Sequence, residues 1–158
     1  MSRNTELIDG FYAAFARRDW RAMAACYHPR VHFSDEVFDL HGADAGAMWH
    51  MLAERGTDLT LQWRDVREQP DGTVSAHWDA HYTFSATGRK VHNAIDARFE
   101  FRDGLVIRHV DRFDFWRWSR QALGAPGWLL GWTSLLRGKV RAQAAKGLAA
   151  FNRASAAG

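Results

Sequence analysis

The chain has 158 residues, one cysteine, 21 Lys or Arg against 18 Asp or Glu, and a formal net charge of +3. This length suits one domain with a sizeable core, the lone Cys26 excludes an internal disulfide, and no uncharged apolar run reaches membrane-spanning length. The charge is uneven, since Arg117 to Gly158 holds seven Lys or Arg and no Asp or Glu, so that +3 is the sum of +7 there and −4 elsewhere.

Helical spacing of Leu7, Ile8, Phe11, Tyr12 and Phe15 predicts an amphipathic helix from Thr5 to Arg17. Asp19 caps a second helix with Trp20, Met23, Ala24 and Tyr27 on one face, which ends near His28-Pro29 because proline disfavours helical geometry before it. Val31 to Ser34 reads as a short strand. Gly42 and Asp44 open a third helix, apolar through Met48, Trp49 and Leu52, which stops at Gly56. Alternation of Leu59, Leu61 and Trp63 predicts a strand to Arg67, and Pro70-Asp71-Gly72 turns the chain. Three strands follow, Ser75 to Ser85, His92 to Arg102 and Leu105 to Phe115, joined by Thr87-Gly88 and Asp103-Gly104.

Taken as two-residue turns, these pairs dictate the register, because position 86 then meets 89 and position 102 meets 105. Asp79 is expected to face Asp96, and Asp96 to face Asp111. One rung away, His77 is expected opposite Arg98 and Arg98 opposite His109. Three carboxylates at cross-strand distance cannot all ionise cheaply in an enclosed cavity, so at least one is expected to hold its proton to higher pH. The competing reading makes this the wet outer face of an antiparallel sheet. The opposite face, with Trp78, Tyr82, Ile95, Phe99 and Val106, needs cover from helices or from a second subunit, and a homodimer is expected.

After Trp118, Gly124, Pro126 and Gly127 break the chain, an apolar cluster from Trp128 to Leu136 follows, and Arg137, Lys139, Arg141 and Lys146 stand among alanines. Residues 118–158 are therefore expected to be a C-terminal helical extension of a domain spanning 1–117, serving as a lid or a dimer contact. Residues 154–158 are expected to be disordered. Basic residues with tryptophan also suit a membrane surface, a reading ranked below the lid. The basic tail alone does not establish nucleic-acid binding, and none is expected. The start, MSRNTELIDG, carries no apolar stretch after its basic residue, so a cytoplasmic location is expected.

The segments Phe15-Ala16-Arg17-Arg18-Asp19-Trp20, Tyr27-His28-Pro29-Arg30-Val31-His32-Phe33-Ser34-Asp35-Glu36-Val37-Phe38 and Phe99-Glu100-Phe101-Arg102-Asp103-Gly104, with His109-Val110-Asp111-Arg112-Phe113-Asp114, carry a family likeness. Together with the element order, they make residues 5–117 resemble the nuclear transport factor 2-like superfamily, which includes ketosteroid isomerases, SnoaL-like polyketide cyclases and limonene epoxide hydrolase. The resemblance implies an α+β cone in which a curved, mostly antiparallel sheet wraps N-terminal helices. It also implies that Asp35 stands where ketosteroid isomerases keep their proton-moving aspartate. Asp96 stands where they keep a neutral carboxylic acid, while the tyrosine that joins it falls at Phe11. Asp111 resembles the final-strand aspartate of limonene epoxide hydrolase, with Arg98 and Asp79 or Asp96 as its partners. In the SnoaL-like pattern Asp111 works with His109 or His77.

The reading that follows is a SnoaL-like enzyme performing carboxylate acid/base chemistry, of isomerase, cyclase or hydrolase type, on a small apolar molecule held in a cavity, without a cofactor. Its alternative is a non-catalytic ligand-binding or dimeric interaction protein of the same fold. Asp96 and Asp111 are the expected acid/base pair, tuned by Asp79, His77, His109 and Arg98, with Asp35 across the cavity. Phe15, Trp20, Tyr27, Phe33, Trp49 and Phe113 are the expected apolar wall. His77, Asp79 and His81 alternate on one strand face, but straight-strand spacing separates such side chains by roughly 7 Å, and no metal is expected.

Overall fold

The structure is a computed structural model describing residues 1–157. Its elements run α1 (Arg3–Ala16), α2 (Trp20–Ala25), β1 (Tyr27–Ser34), β2 (Asp39–His41), α3 (Ala43–Arg55), β3 (Thr60–Glu68), β4 (Val74–Phe84), β5 (Arg89–Arg102), β6 (Leu105–Arg112), α4 (Phe115–Leu123), α5 (Ala125–Leu130) and α6 (Ser134–Ala156). The strands form one sheet in the order β2-β1-β6-β5-β4-β3, with β1 parallel to β6 and every other pair antiparallel. The α+β class is as expected.

Side-chain caps set where the first helices begin. The Ser2 hydroxyl accepts from the Thr5 amide, and Asp19 accepts from Ala22. α1 then turns Ile8, Phe11, Tyr12 and Phe15 onto the sheet, where Met48 and Trp49 of α3 join Trp78, Ile95, Ala97 and Phe99 in one core. The apolar sheet face is thus covered by the chain's own helices.

Some boundaries differ from expectation. Tyr27 to Pro29 belong to β1, because α2 ends at Ala25 and Val31 instead receives a hydrogen bond from Gly42. β2 was too short to show as an alternating pattern. β6 ends at Arg112, since Asp114 caps α4 by accepting from Arg117. At the other end α6 stays helical to Ala156, so residues 154–156 are ordered helix.

The register differs at both hairpins. Phe84 pairs with Arg89, so the first loop has four residues, 85–88, and the Phe84 carbonyl accepts from both Thr87 and Gly88. That slip of two sets His77, not Asp79, opposite Asp96, and leaves both on the same sheet face. The second turn has two residues, Asp103 and Gly104 at φ 54° and 76°, and Arg102 meets Leu105 as expected. Pairing then jumps from Phe101–Val106 to Glu100–Arg108, so Ile107 is an extra residue in β6. Such a β-bulge inverts the alternation of everything beyond it. His109 therefore lies opposite Phe99 and Asp111 opposite Ala97, on the inner face, while Arg108, Val110 and Arg112 turn outward.

The C-terminal helices close the structure. Phe115, Trp118 and Ala122 of α4 pack with Val91 and against Val37, Tyr82, Phe84 and Phe113 at one end of the sheet. Leu148 and Phe151 of α6 join the main core beside α3, and Arg137 pairs with Glu36 at 3.4 Å. Among the described residues no helix is long and apolar enough to cross a membrane.

Deleting Ile107 removes the extra residue and should leave Arg108 opposite Glu100 and His109 opposite Phe99 in a regular ladder, with His109 and Asp111 still inward. Urea unfolding of the deletion variant is expected to keep a single cooperative transition; loss of that transition would contradict Ile107 as an unpaired residue that the ladder can dispense with.

Candidate functional site

The inner face of β6 carries a buried polar chain. Trp49 of α3 donates its indole N–H to the Tyr27 hydroxyl at 2.7 Å, Tyr27 lies 2.7 Å from His109 Nδ1, and His109 Nε2 lies 2.9 Å from Asp111 Oδ1. An indole nitrogen only donates, so Tyr27 accepts from Trp49 and gives its own proton to Nδ1. Nδ1 is then an acceptor, which places the imidazole proton on Nε2, where it donates to the Asp111 carboxylate. His109 is 0% and Asp111 2% exposed. Aromatic rings enclose the imidazole, with centroids of Phe99 at 4.2 Å, Phe33 at 4.9 Å and Phe11 at 5.7 Å. Among the described residues, the second oxygen of Asp111 has no hydrogen-bond donor.

Asp35 lies at the end of the same strand as Tyr27. It closes the β1–β2 turn by accepting from the Val37 and Phe38 amides at 2.7 and 2.6 Å. Burial pushes its carboxyl up to about 7 against the downward pull of those two amides, and the negative charge of Asp111 adds to the rise. The two acids therefore sense one another across the interior.

Three phenols surround them. Burial, with Asp111 second, drives Tyr12 well above the usual phenol range, and burial does the same for Tyr27. Tyr82, donor-bonded by Trp118 at 2.8 Å, is also raised by burial, with a contribution from Asp35. All three thus stay protonated donors near neutrality. The Tyr12 hydroxyl is fully buried and has no partner among the described residues.

The predicted row is divided between two faces. Asp111 and His109 point inward, where the charge of Asp111 reaches Asp35. Asp96, Asp79, His77 and Arg98 lie on the outer face, because the bulge inverted β6 but left β4 and β5 unchanged. There His77 bridges Asp96 at 2.9 Å and Asp79 at 3.2 Å, while His92 bonds Asp79 at 2.8 Å. These histidines, His92 first, hold the Asp79 carboxyl below its ordinary value. Arg98 pairs with Asp71 at 2.8 Å on the outer face and not with an interior acid. The carboxyl pushed upward is Asp35, outside the row, and the expected assembly of six ionisable groups on one face does not form.

Of the expected wall residues, Phe15, Tyr27, Phe33 and Trp49 are buried in the interior, and Phe113 packs between the main core and the α4 cluster. Trp20 does not join them. It stacks on His50 at 3.7 Å and lines a surface cavity of about 500 Å³ between α2, α3 and α6, which Tyr27 also reaches. Tyr12, Tyr82 and Trp118 escaped the sequence analysis as site residues. Tyr12 was legible only as a position on the buried face of α1, and Tyr82 as one on the apolar face of β4.

His81 stacks on His92 at 4.2 Å rather than converging with His77 and Asp79. His32, Asp39 and His41 do offer atoms within 4.8 Å of one another. Arg108 nevertheless donates to His32 Nδ1 at 2.7 Å, which leaves the proton on Nε2, the atom 2.5 Å from Asp39. That tautomer, beside a guanidinium, has no lone pair to offer a cation. Cys26 is buried, and burial raises its thiol above the usual value, as suits an inert core cysteine.

A family profile described as SnoaL-like domain matches residues 8–109. Among solved structures, a candidate polyketide cyclase from Xanthomonas campestris pv. campestris is 26% identical with a TM-score of 0.61, over 75% of this chain and 96% of that one. An NTF2-like protein of unknown function from Burkholderia pseudomallei K96243 is 20% identical with a TM-score of 0.67, over 78% and 99%. A candidate isomerase from Bacillus subtilis is 16% identical with a TM-score of 0.62, over 78% and 94%. The last two likenesses show the fold alone. Among curated proteins none matches the chain.

Two substitutions test this geometry. Tyr27→Phe removes the acceptor for Trp49 and the donor for His109, and should lower stability by about 1–3 kcal/mol in urea unfolding. Asp35→Asn should act in the opposite sense. A carboxyl that ionises at about 7 when folded and at 3.8 otherwise is destabilising once it ionises, so stability falls as pH rises between those values and is level above. Asn keeps the acceptor without the charge; its gain should grow from pH 5 to pH 8 and reach at most roughly 4 kcal/mol. A pH-independent effect would contradict the raised carboxyl.

Proposed function

The chain belongs to the SnoaL-like domain family, and on that premise we propose that it is an enzyme that moves a proton on a small, mostly apolar organic molecule, with Asp111 and Asp35 as its acid/base pair. Neighbours named cyclase and isomerase agree with cyclisation or isomerisation as the reaction class, with hydrolysis the third chemistry the same acids could serve. The observation that carries the proposal is a buried carboxyl that ionises near neutrality beside a second, hydrogen-bonded interior acid. Asp111 accepts from His109 Nε2 at 2.9 Å, and Asp35 keeps its proton until about pH 7. An acid that ionises near the working pH is what general acid/base catalysis near neutrality needs.

Each residue has a role in this reading. The free oxygen of Asp111 accepts the proton, His109 and Tyr27 fix its orientation through the chain anchored at Trp49, and Asp35 returns a proton. Tyr12 supplies an uncommitted donor for negative charge that develops on a substrate oxygen. Phe11, Phe33 and Phe99 keep the local dielectric low. The proposed step uses only the chain's own acids.

The second reading, a non-catalytic binder of the same fold, draws on the buried aromatic interior, where the Trp118 indole donates to the Tyr82 hydroxyl. Carbon-detected NMR titration of the aspartate carboxyl groups distinguishes the two. Asp35 is expected to reach half-protonation near pH 7, and Asp111→Asn to lower that midpoint by removing the nearby negative charge. An Asp35 that titrates near the ordinary value of about 3.9 would end the enzyme reading and leave the binding one.

A further inference from the structure

Apart from Met1, every large apolar side chain that the described residues leave exposed lies in one corner of the molecule, formed by α4, α5 and the start of α6. Trp132 is 74%, Leu129 71% and Leu135 67% exposed, with Trp116, Trp128 and Leu130 beside them. Glycine contacts seat α5 on α4 and hold this surface in place. A Cβ on Gly127 would lie 2.0 Å from the Ser119 carbonyl oxygen, and one on Gly131 would lie 2.0 Å from the Ser119 hydroxyl. The apolar residues therefore face outward because the backbone of α5 is packed against α4.

Adjoining this apolar corner at Trp128 is an open surface pocket of about 590 Å³ lined by Arg89, Lys90, Arg117, Arg120, Gln121 and Trp128, four cations and no acid. Lys90 is paired with Asp58 at 3.7 Å, and Arg89 donates to the Gln121 carbonyl at 2.8 Å. Arg120 is held between two indoles, 4.4 Å from Trp116 and 4.6 Å from Trp128, and its Nε has no partner among the described residues. Arg117 has no carboxylate partner among them either. Tryptophan and leucine at the tip with arginine just behind is the layering of a protein face at the boundary between lipid headgroups and acyl chains.

We propose that this corner docks the chain on an anionic lipid bilayer, with Trp132, Leu129 and Leu135 entering the interface and lipid phosphates meeting Arg117 and Arg120. Charge selects this occupant. Two copies meeting through the same patch would place Arg117 and Arg120 against their own equivalents, and residues 117–158 contain no acid to receive them. Without a membrane-spanning helix among the described residues, the chain lies on the surface. From the sequence alone a lid ranks above a membrane contact for this segment. The structure separates the two, since Phe115 and Trp118 face the core while Trp116 and α5 face outward.

The test is co-sedimentation of the full chain with vesicles of phosphatidylcholine alone and of phosphatidylcholine containing phosphatidylglycerol, with tryptophan fluorescence as a second readout. Partition to the anionic vesicles is expected, weakened by salt and accompanied by a blue shift of the emission. Leu129→Ser with Trp132→Ser should reduce partition by roughly tenfold or more with an unchanged circular dichroism spectrum, and Arg117→Gln should weaken it independently. Inorganic phosphate that abolishes partition at constant ionic strength would show a free-anion pocket instead of a bilayer surface and overturn the proposal. So would no partition at all, or self-association on light scattering that the same Leu129 and Trp132 substitutions remove.

Discussion

The rest of the interior depends on one extra residue in β6. Along a strand the side chains alternate between faces, so Arg108, Val110 and Arg112 or His109 and Asp111 can be inside, but not both sets. Ile107 chooses His109 and Asp111. A buried carboxylate is costly without a hydrogen-bonded partner, and the remaining elements meet that demand. β1 contributes Tyr27, α3 contributes Trp49, and α1 packs Phe11 against the imidazole they orient.

The two faces of the same sheet tune aspartates in opposite directions. On the outer face Asp79 lies between His92 and His77, and its carboxyl is held down. On the inner side Asp35 has two backbone amides but no cation, has Asp111 within its electrostatic reach, and burial pushes it up. The residue type is the same in both, and solvent access with the sign of the neighbours separates their behaviour. Trp49 is as important here as any acid, because a group that only donates gives the whole chain one direction.

α4 serves two surfaces at once. Its inner side places Phe115 and Trp118 over Tyr82 and Phe84 at one end of the sheet, and its outer side offers Trp116 to the apolar corner built with α5. Gly127 and Gly131 permit the close approach that makes this possible. α6 then returns across the molecule, with Arg137 on Glu36 in the turn after Asp35 and Phe151 against His50 beside α3. The extension is thereby tied both to the turn that carries Asp35 and to the helix that carries Trp49.

Much of this was readable without coordinates. Helical spacing found α1 and α3, alternation found β3 to β5, the family segments gave the cone, and both Asp35 and Asp111 were among the expected acids. The partners of those acids were not readable. Turn residues suggested two-residue loops at both hairpins, and only Asp103-Gly104 made one; Thr87-Gly88 closed a four-residue loop and moved Asp79 away from Asp96. Nothing in Leu105 to Arg112 marks Ile107 as unpaired, because a bulge is a property of two strands and of the helices they must wrap. The sequence by itself determined the elements, the fold class and the stock of ionisable groups, since these follow from local periodicity and composition. Only the tertiary structure decided which aspartates are buried, because that depends on register and on packing between residues far apart in the chain.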